Sequence, residues 1–140
     1  MPQDSASAVA ICALIRREDG RYLLIQRAPN LAGGGFWCPI TGRPEDGEQL
    51  KQTVVREVQE EVGMHVTVGP EVFKCPTSDG RFTLRWFKCT PNPPSVGFEP
   101  LKLRRQEVSD ARWMTAKEAS LLDPTFESTA AFFSQLGDTE

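Results

Sequence analysis

Glu57, Glu60 and Glu61 are the residues of this chain whose type and spacing best suit chemistry. On an α-helix, at about 100° per residue, Glu60 falls about 60° to one side of Glu57 and Glu61 about 40° to the other. The three carboxylates therefore crowd an arc about 100° wide. Like charges at this spacing destabilise a helix by a few tenths of a kcal/mol per pair. A hard divalent cation held by carboxylate oxygens is the natural compensation. Such a cation can neutralise phosphate oxygens, lower the pKa of a bound water and stabilise a leaving phosphate. For the segment Arg56–Glu61 alone, a solvated acidic face with Arg56 as counter-ion also accounts for the residues. The longer pattern around it favours the chemical reading.

The carboxylates need a helix to share a face, and the surrounding residues predict one. Leu50, Val54, Val58 and Val62 recur every four residues, and Gly63 stands where a helix C-terminal glycine belongs. Gly47 is the last breaker before the early part of that helix, Glu48 to Gln52. The stretch from Thr41 to Gly47 is rich in turn formers and would fold back over the acidic face.

Strands should frame this unit. Val9 to Ile15 is rich in branched residues, and Asp19-Gly20 reads as a hairpin turn into a second strand, Tyr22 to Arg27. Ala28 to Gly35 reads as a flexible loop, followed by a short strand at Phe36-Trp37-Cys38. His65 to Val68 resumes strand character, with Val72 to Cys75 continuing it past the Gly69-Pro70 break. Arg81 to Thr90 alternates Phe82, Leu84 and Trp86 against Thr83, Arg85 and Phe87. Pro91 to Pro100 looks too proline-broken for any regular element. Val108 to Met114 is the last strand. Thr115 and Glu118 form a capping box on a helix over Lys117 to Leu122, and Phe126 to Leu136 forms a terminal amphipathic helix.

Written as spacing, the organising run is Gly42, five residues, Glu48, seven residues, Arg56-Glu57-Val58, one residue, Glu60-Glu61, one residue, Gly63-Met64. At ordinary residue usage the match is a coincidence on the order of one in 10⁷ chains or rarer. The run resembles the signature of the Nudix hydrolases, with every fixed position filled. The resemblance implies an α/β fold, a Nudix-type α/β/α sandwich with a mixed β-sheet. It makes residues 1–140 a single domain whose first six residues are disordered. It implies a pyrophosphohydrolase dependent on Mg²⁺, with Mn²⁺ as a substitute. The substrate would be a nucleoside diphosphate linked to a further group X, foremost a nucleoside triphosphate cut to monophosphate and pyrophosphate.

Position by position, the resemblance makes Glu57, Glu60 and Glu61 metal ligands, joined by a backbone carbonyl at Thr41. Glu48 becomes the supporting loop glutamate, Arg56 its partner, and Glu60 the choice for general base. Gly42 and Gly63 match the glycines of the loop and the helix end. Many relatives carry two glycines where this chain has Thr41-Gly42, and the Thr-Gly form resembles members acting on nucleoside or pterin triphosphates. Glu107 resembles a glutamate often found ahead of the last strand and within reach of the metal, although an ordinary loop residue explains it as well. Arg27, Arg104 and Arg105 are candidate substrate contacts, and Lys102 shares their basic cluster. Phe36, Trp37, Trp86 and Phe87 are candidate stacking residues, set against the commoner role of strand aromatics as core.

Composition limits the alternatives. At 140 residues, 39% hydrophobic and 25% charged, the chain has the make-up of one globular unit with a sizeable core. A net charge of −3 makes a nucleic-acid partner unfavourable and leaves a small nucleotide as the expected one. The four cysteines show no zinc spacing and read as reduced apolar residues. The apolar run at Ala8–Ile15 is short, lacks a basic segment before it and ends in charge, which predicts no membrane span and a cytoplasmic location. No signal bears on oligomeric state. Two rivals remain: a nucleotide-sensing module of the same fold without turnover, and an enzyme acting on RNA 5′ ends.

Overall fold

In the computed structural model, which describes residues 8–77 and 79–139, the apolar runs become strands buried on both faces. Strand β1 (Ala8–Ile15) sends Ile11, Ala13 and Ile15 to one apolar cluster and Cys12 and Leu14 to another. β2 (Tyr22–Arg27) divides in the same way, Leu23 and Ile25 against Tyr22 and Leu24. Successive strand side chains point to opposite faces, so a run that is apolar throughout needs cover on both sides.

Helices supply that cover. On one side α1 (Leu50–Val62) buries Val54, Val58 and Val62 completely against the first cluster. On the other, α3 (Glu127–Thr139) inserts Phe133 and packs Phe132 and Leu136 against the second. The result is an α/β/α sandwich. Its four-stranded sheet runs β4 (Ile40–Gly42), β1, β6 (Phe82–Pro91), β5 (Val66–Pro76). β1 lies parallel to β6 and antiparallel to β4, so this sheet is mixed as expected. A second, antiparallel sheet of β3 (Trp37–Cys38), β2 and β7 (Val108–Met114) was not foreseen.

That second sheet corrects the hairpin. Asp19-Gly20 does turn the chain, with Arg17 N donating to Arg21 O at 2.7 Å, but β1 and β2 share only the Arg16–Tyr22 bridge. Both edges of β1 are already paired, to β4 and β6, so β2 must find partners elsewhere.

Four other boundaries moved. The organising helix starts at Leu50, because Gln49 and Gln52 cap it reciprocally, and Glu48 is left in the preceding loop. β5 runs unbroken through Gly69-Pro70, its register slipping between Val68 and Glu71 and between Glu71 and Phe73, as β-bulges allow. The proline-rich stretch holds a 3₁₀-helix, Pro94–Phe98, since a proline in the first turn loses no needed donor. The Thr115–Glu118 capping box is present, but its helix α2 (Ala116–Ser120) is shorter than predicted. The expected disorder of residues 1–6 concerns positions outside those described. Val58 is fully buried between α1 and the sheet, so Val58→Ala should lower unfolding stability by about 2 kcal/mol in a urea titration, the cost of lost burial plus a cavity.

Candidate active site

One arginine ties the loop before α1 to the helix itself. Arg56 Nε donates to Glu48 Oε2 at 2.8 Å and Nη2 to Glu48 Oε1 at 2.9 Å, a bidentate pair across eight residues. Nη2 also donates to the Arg43 carbonyl at 3.1 Å. Nη1 reaches Glu60 Oε1 at 3.3 Å and Glu57 Oε1 at 3.6 Å. Glu48 accepts further bonds from Thr53 Oγ1 at 2.8 Å and Glu45 N at 3.0 Å. The hydrogen bonds from Arg56 are the main reason its carboxyl is held down at about 2.

Two glycines let this unit close. A Cβ on Gly42, the last residue of β4, would overlap the Glu57 carboxylate, so only glycine allows that approach. Gly63 ends the helix at φ 69° in the left-handed region, and its N–H donates to Gln59 O at 3.0 Å.

The carboxylates so positioned are unfavourably placed for ionised acids. Burial pushes Glu57 up to about 7, with Glu60 and Glu107 adding to the shift and Arg56 opposing it. Glu61 is only 5% exposed, and burial pushes it up to about 8, reinforced by Glu57 and Glu107 and opposed by Arg27. Buried acids that repel one another are the electrostatic complement of a cation, and their all-oxygen chemistry fits a hard divalent one. Among the described residues no three acidic, His or Cys side chains already close into a metal cage. The carboxylates share an arc rather than surround a point.

A cleft of about 820 Å³ opens beside them. Glu57, Glu61, Thr41, Arg27, Glu107 and Trp86, all among the predicted residues, line it. Glu60 sits at the solvent side of the arc, 39% exposed, beside Arg56 and Arg104. Glu107, for which an ordinary exposed loop residue is the other reading, stands close enough to raise both Glu57 and Glu61.

Other expectations fail here. Trp37 is buried in the second core cluster, with Arg112 5.4 Å from its ring centre, and does not line the cleft. Trp86 does line it, but cannot stack on a base, because Phe132 at 4.6 Å and Phe73 at 5.6 Å already pack on its ring. Phe87 belongs to the opposite core, and Phe36 is packed on Phe126. Arg104 is an internal counter-ion, 3.2 Å from Glu107 and 4.0 Å from Glu60. Arg105 turns away to Ser109 O at 2.7 Å. His65 lies exposed between α1 and β5 rather than in a strand.

Sequence reading missed Arg43, Phe82, Phe126 and Thr129, all lining the cleft. Arg43 follows Gly42 directly, at a position the signature leaves free, and packs 5.0 Å from the Phe82 ring centre. The other three come from β6 and the start of α3, and only tertiary packing brings them to the site.

Comparison with known proteins agrees with this geometry. The family model for the NUDIX domain matches residues 6–136. The chain belongs to the Nudix family. The CTP pyrophosphohydrolase of Escherichia coli K12 is 38% identical over 64 residues, which span 46% of this chain and 47% of that protein. An NAD-capped RNA hydrolase NudC from Mannheimia succiniciproducens is 29% identical over 78% of this chain and 40% of its own length. The matches thus span less than half the length of these two curated relatives. The MutT protein of Methanosarcina mazei Go1 shares the fold, with TM-score 0.79 and 22% identity over 99% of this chain and 98% of that one. Among the described residues no helix is long and apolar enough to cross a membrane.

The depressed Glu48 carboxyl has a consequence for stability. A group held below its ordinary pKa stabilises the fold fully above that ordinary value, near 4.3, and loses the contribution as pH falls toward 2. Glu48→Gln should therefore melt at a lower temperature than the parent at pH 7. The gap should narrow as pH drops from 5 to 3, as thermal melts would show; a gap independent of pH would mean the Arg56 pair does not hold the loop.

Proposed function

We propose that this chain is a Mg²⁺-dependent pyrophosphohydrolase, with Mn²⁺ as a substitute, acting on a nucleoside diphosphate linked to a group X. The foremost substrate is a nucleoside triphosphate, cut to the monophosphate and pyrophosphate. One observation carries the reading: a single cleft joins the half-buried Glu57 and the buried Glu61 to an apolar compartment lined by Cys12, Phe82, Leu84 and Phe126. Phosphate chemistry and the recognition of an apolar planar group thus share one space. The family and the CTP pyrophosphohydrolase among its relatives support the same reaction.

In this reading Glu57, Glu60 and Glu61, with the Thr41 carbonyl, would hold the cation. The cation supplies charge neutralisation at the phosphate oxygens and a more acidic water. Arg56 and Glu48 are positioning residues that fix the loop against the helix. Glu60, the most exposed of the three glutamates, takes the proton as water adds to phosphorus; the anhydride P–O bond between monophosphate and pyrophosphate breaks, and its electrons stay on the bridging oxygen of the departing product. Arg27 and Arg43 line the cleft from β2 and from the end of β4, and offer positive charge to the substrate's phosphates. Arg104 is taken up by Glu60 and Glu107 and is set aside as a phosphate contact.

The test is Mg²⁺-dependent hydrolysis across nucleoside triphosphates, oxidised nucleotides, sugar nucleotides, dinucleoside polyphosphates and capped RNA, with products identified. Release of pyrophosphate from one class fixes X. The NudC relative makes preferential action on capped RNA the principal contrary outcome. Binding without turnover would point to a sensor instead. Glu57→Gln and Glu60→Gln should each reduce the rate by on the order of 10² or more. Glu57→Gln should not lower the melting temperature in the absence of metal, since it removes a charge that burial and Glu60 disfavour. Full turnover by both variants would dismiss the site.

A further inference from the structure

Arg43 is held at both ends. Its backbone carbonyl accepts from Arg56 Nη2 at 3.1 Å, which ties it to the cluster that closes the loop on α1. Its guanidinium carbon lies 5.0 Å from the centre of the Phe82 ring, a cation–π contact. Both residues line the cleft. Strand register explains the reach. Gly42 on β4 pairs with Ile11 on β1, so Arg43 leaves the sheet beside Ala10; Ala10 and Ala8 pair in turn with Leu84 and Phe82 on β6. β4 and β6 are about 9.6 Å apart, two strand spacings. On this face β1 puts Ala8 and Ala10 between them, low enough for a long side chain to pass over.

The charge at the tip is uncommitted. Arg56 is taken up by Glu48, Glu57 and Glu60, and Arg104 by Glu60 and Glu107. Arg43 is exposed, and its guanidinium makes no ion pair or hydrogen bond among the described residues. Asp79, on the hairpin beside Phe82, is occupied by the Thr77 hydroxyl and the Arg81 N–H. Arg81 lies over the same ring at 5.8 Å but does not line the cleft. A contact with the ring uses none of the N–H donors of a guanidinium, so they remain for a bidentate oxygen acceptor, which a phosphate provides. Phe82 itself belongs to neither apolar core cluster. An aromatic side chain that packs in no core, yet holds an arginine in the cleft, acts through that arginine.

We infer that Phe82 is a positioning residue: its ring seats the Arg43 guanidinium in the cleft, where the N–H donors meet a phosphate of the bound nucleotide. This rests on the proposed reading of the cleft as a nucleotide site and adds to it what sets the place of one of its cations. The Arg56 contact fixes the backbone of Arg43, and Phe82 fixes its tip. A free arginine has to be ordered by each ligand that binds, which weakens binding; a seated one has lost that freedom beforehand.

A double-mutant cycle reads the coupling. Dissociation constants are measured with Mg²⁺ for the α,β-methylene analogues of CTP, UTP, GTP and ATP. The tightest binder is then carried through Phe82→Leu, Arg43→Gln and the double variant. Arg43→Gln should weaken binding at least about tenfold, the loss expected for a charged hydrogen-bonded contact. Phe82→Leu should weaken it at least about threefold in the parent protein and less than about 1.5-fold in the Arg43→Gln background, because without the cation the ring has nothing to seat. Phe82→pentafluorophenylalanine, introduced site-specifically, keeps the ring outline and reverses its quadrupole. It should reproduce the Phe82→Leu loss and its dependence on Arg43, which keeps the test decisive if leucine disturbs the fold. A loss of equal size in both backgrounds would mean that the ring touches the ligand or only supports the fold, and would overturn the assignment. So would an Arg43→Gln variant that binds as the parent does, or a parent protein that binds none of the analogues. Because binding is the readout, the result is separable from turnover. Coupled losses in a protein that hydrolyses no nucleotide would remove the hydrolase reading and leave this one standing; turnover with uncoupled losses would do the reverse.

Discussion

The bidentate pair between Arg56 and Glu48 is the contact on which the rest of the candidate site depends. It spans the loop-to-helix junction, and the same guanidinium reaches the Arg43 carbonyl, Glu60 and Glu57. Through these contacts it holds the turn-rich loop against an acidic helix face. A delocalised planar cation suits the task, because it can meet a carboxylate with two bonds and still serve a third and fourth partner. The geometry it imposes has a cost. It brings Glu57 to a point where even a methyl on Gly42 would collide with it, and leaves the half-buried Glu57 beside the buried Glu61.

That cost makes sense only alongside the core. Val54, Val58 and Val62 anchor α1 in a fully buried apolar seam, and the Glu61 side chain follows from its place on the same helix. Apolar burial on this scale outweighs the penalty of a few misplaced acids, since each fully buried aliphatic side chain contributes about 1.5–3 kcal/mol. The fold can therefore carry a strained electrostatic feature at its surface and stay folded. Functional sites commonly sit where a stable scaffold tolerates such a local conflict.

The cleft expresses the two-sided character of the four-stranded sheet. One face of that sheet is sealed by α1. The other is only partly covered by α3, whose first turn stands off the β1, β6 and β5 strands and leaves Cys12, Leu84 and Trp86 as floor. The acidic arc and this floor meet because β4, which ends at Gly42, pairs with β1, which carries Cys12 opposite Thr41. A single register thus joins the acidic part of the cleft to its apolar part.

How much of this was legible depended on the range of the interactions involved. The helix, its C-terminal glycine, the Thr115–Glu118 cap and the strands at Tyr22–Arg27 and Val108–Met114 are set by neighbours a few residues apart, and periodicity reveals them. The acidic arc is equally local, since a helix puts Glu57, Glu60 and Glu61 together whatever surrounds it. Strand partnership is not local. Nothing in Asp19-Gly20 says that both edges of β1 will be taken, so a predicted hairpin became a link between two sheets. Aromatic roles were undecidable for the same reason: Trp37 and Trp86 both sit in apolar runs, and only packing places both in the second core cluster. Arg104 could not be told from a free cation until Glu60 and Glu107 stood beside it. By itself the sequence determined which residues form the acidic helix and its loop, because those contacts close within about twenty residues. The tertiary structure alone decided what faces them, because that depends on strands far apart in the chain choosing one another through burial rather than proximity.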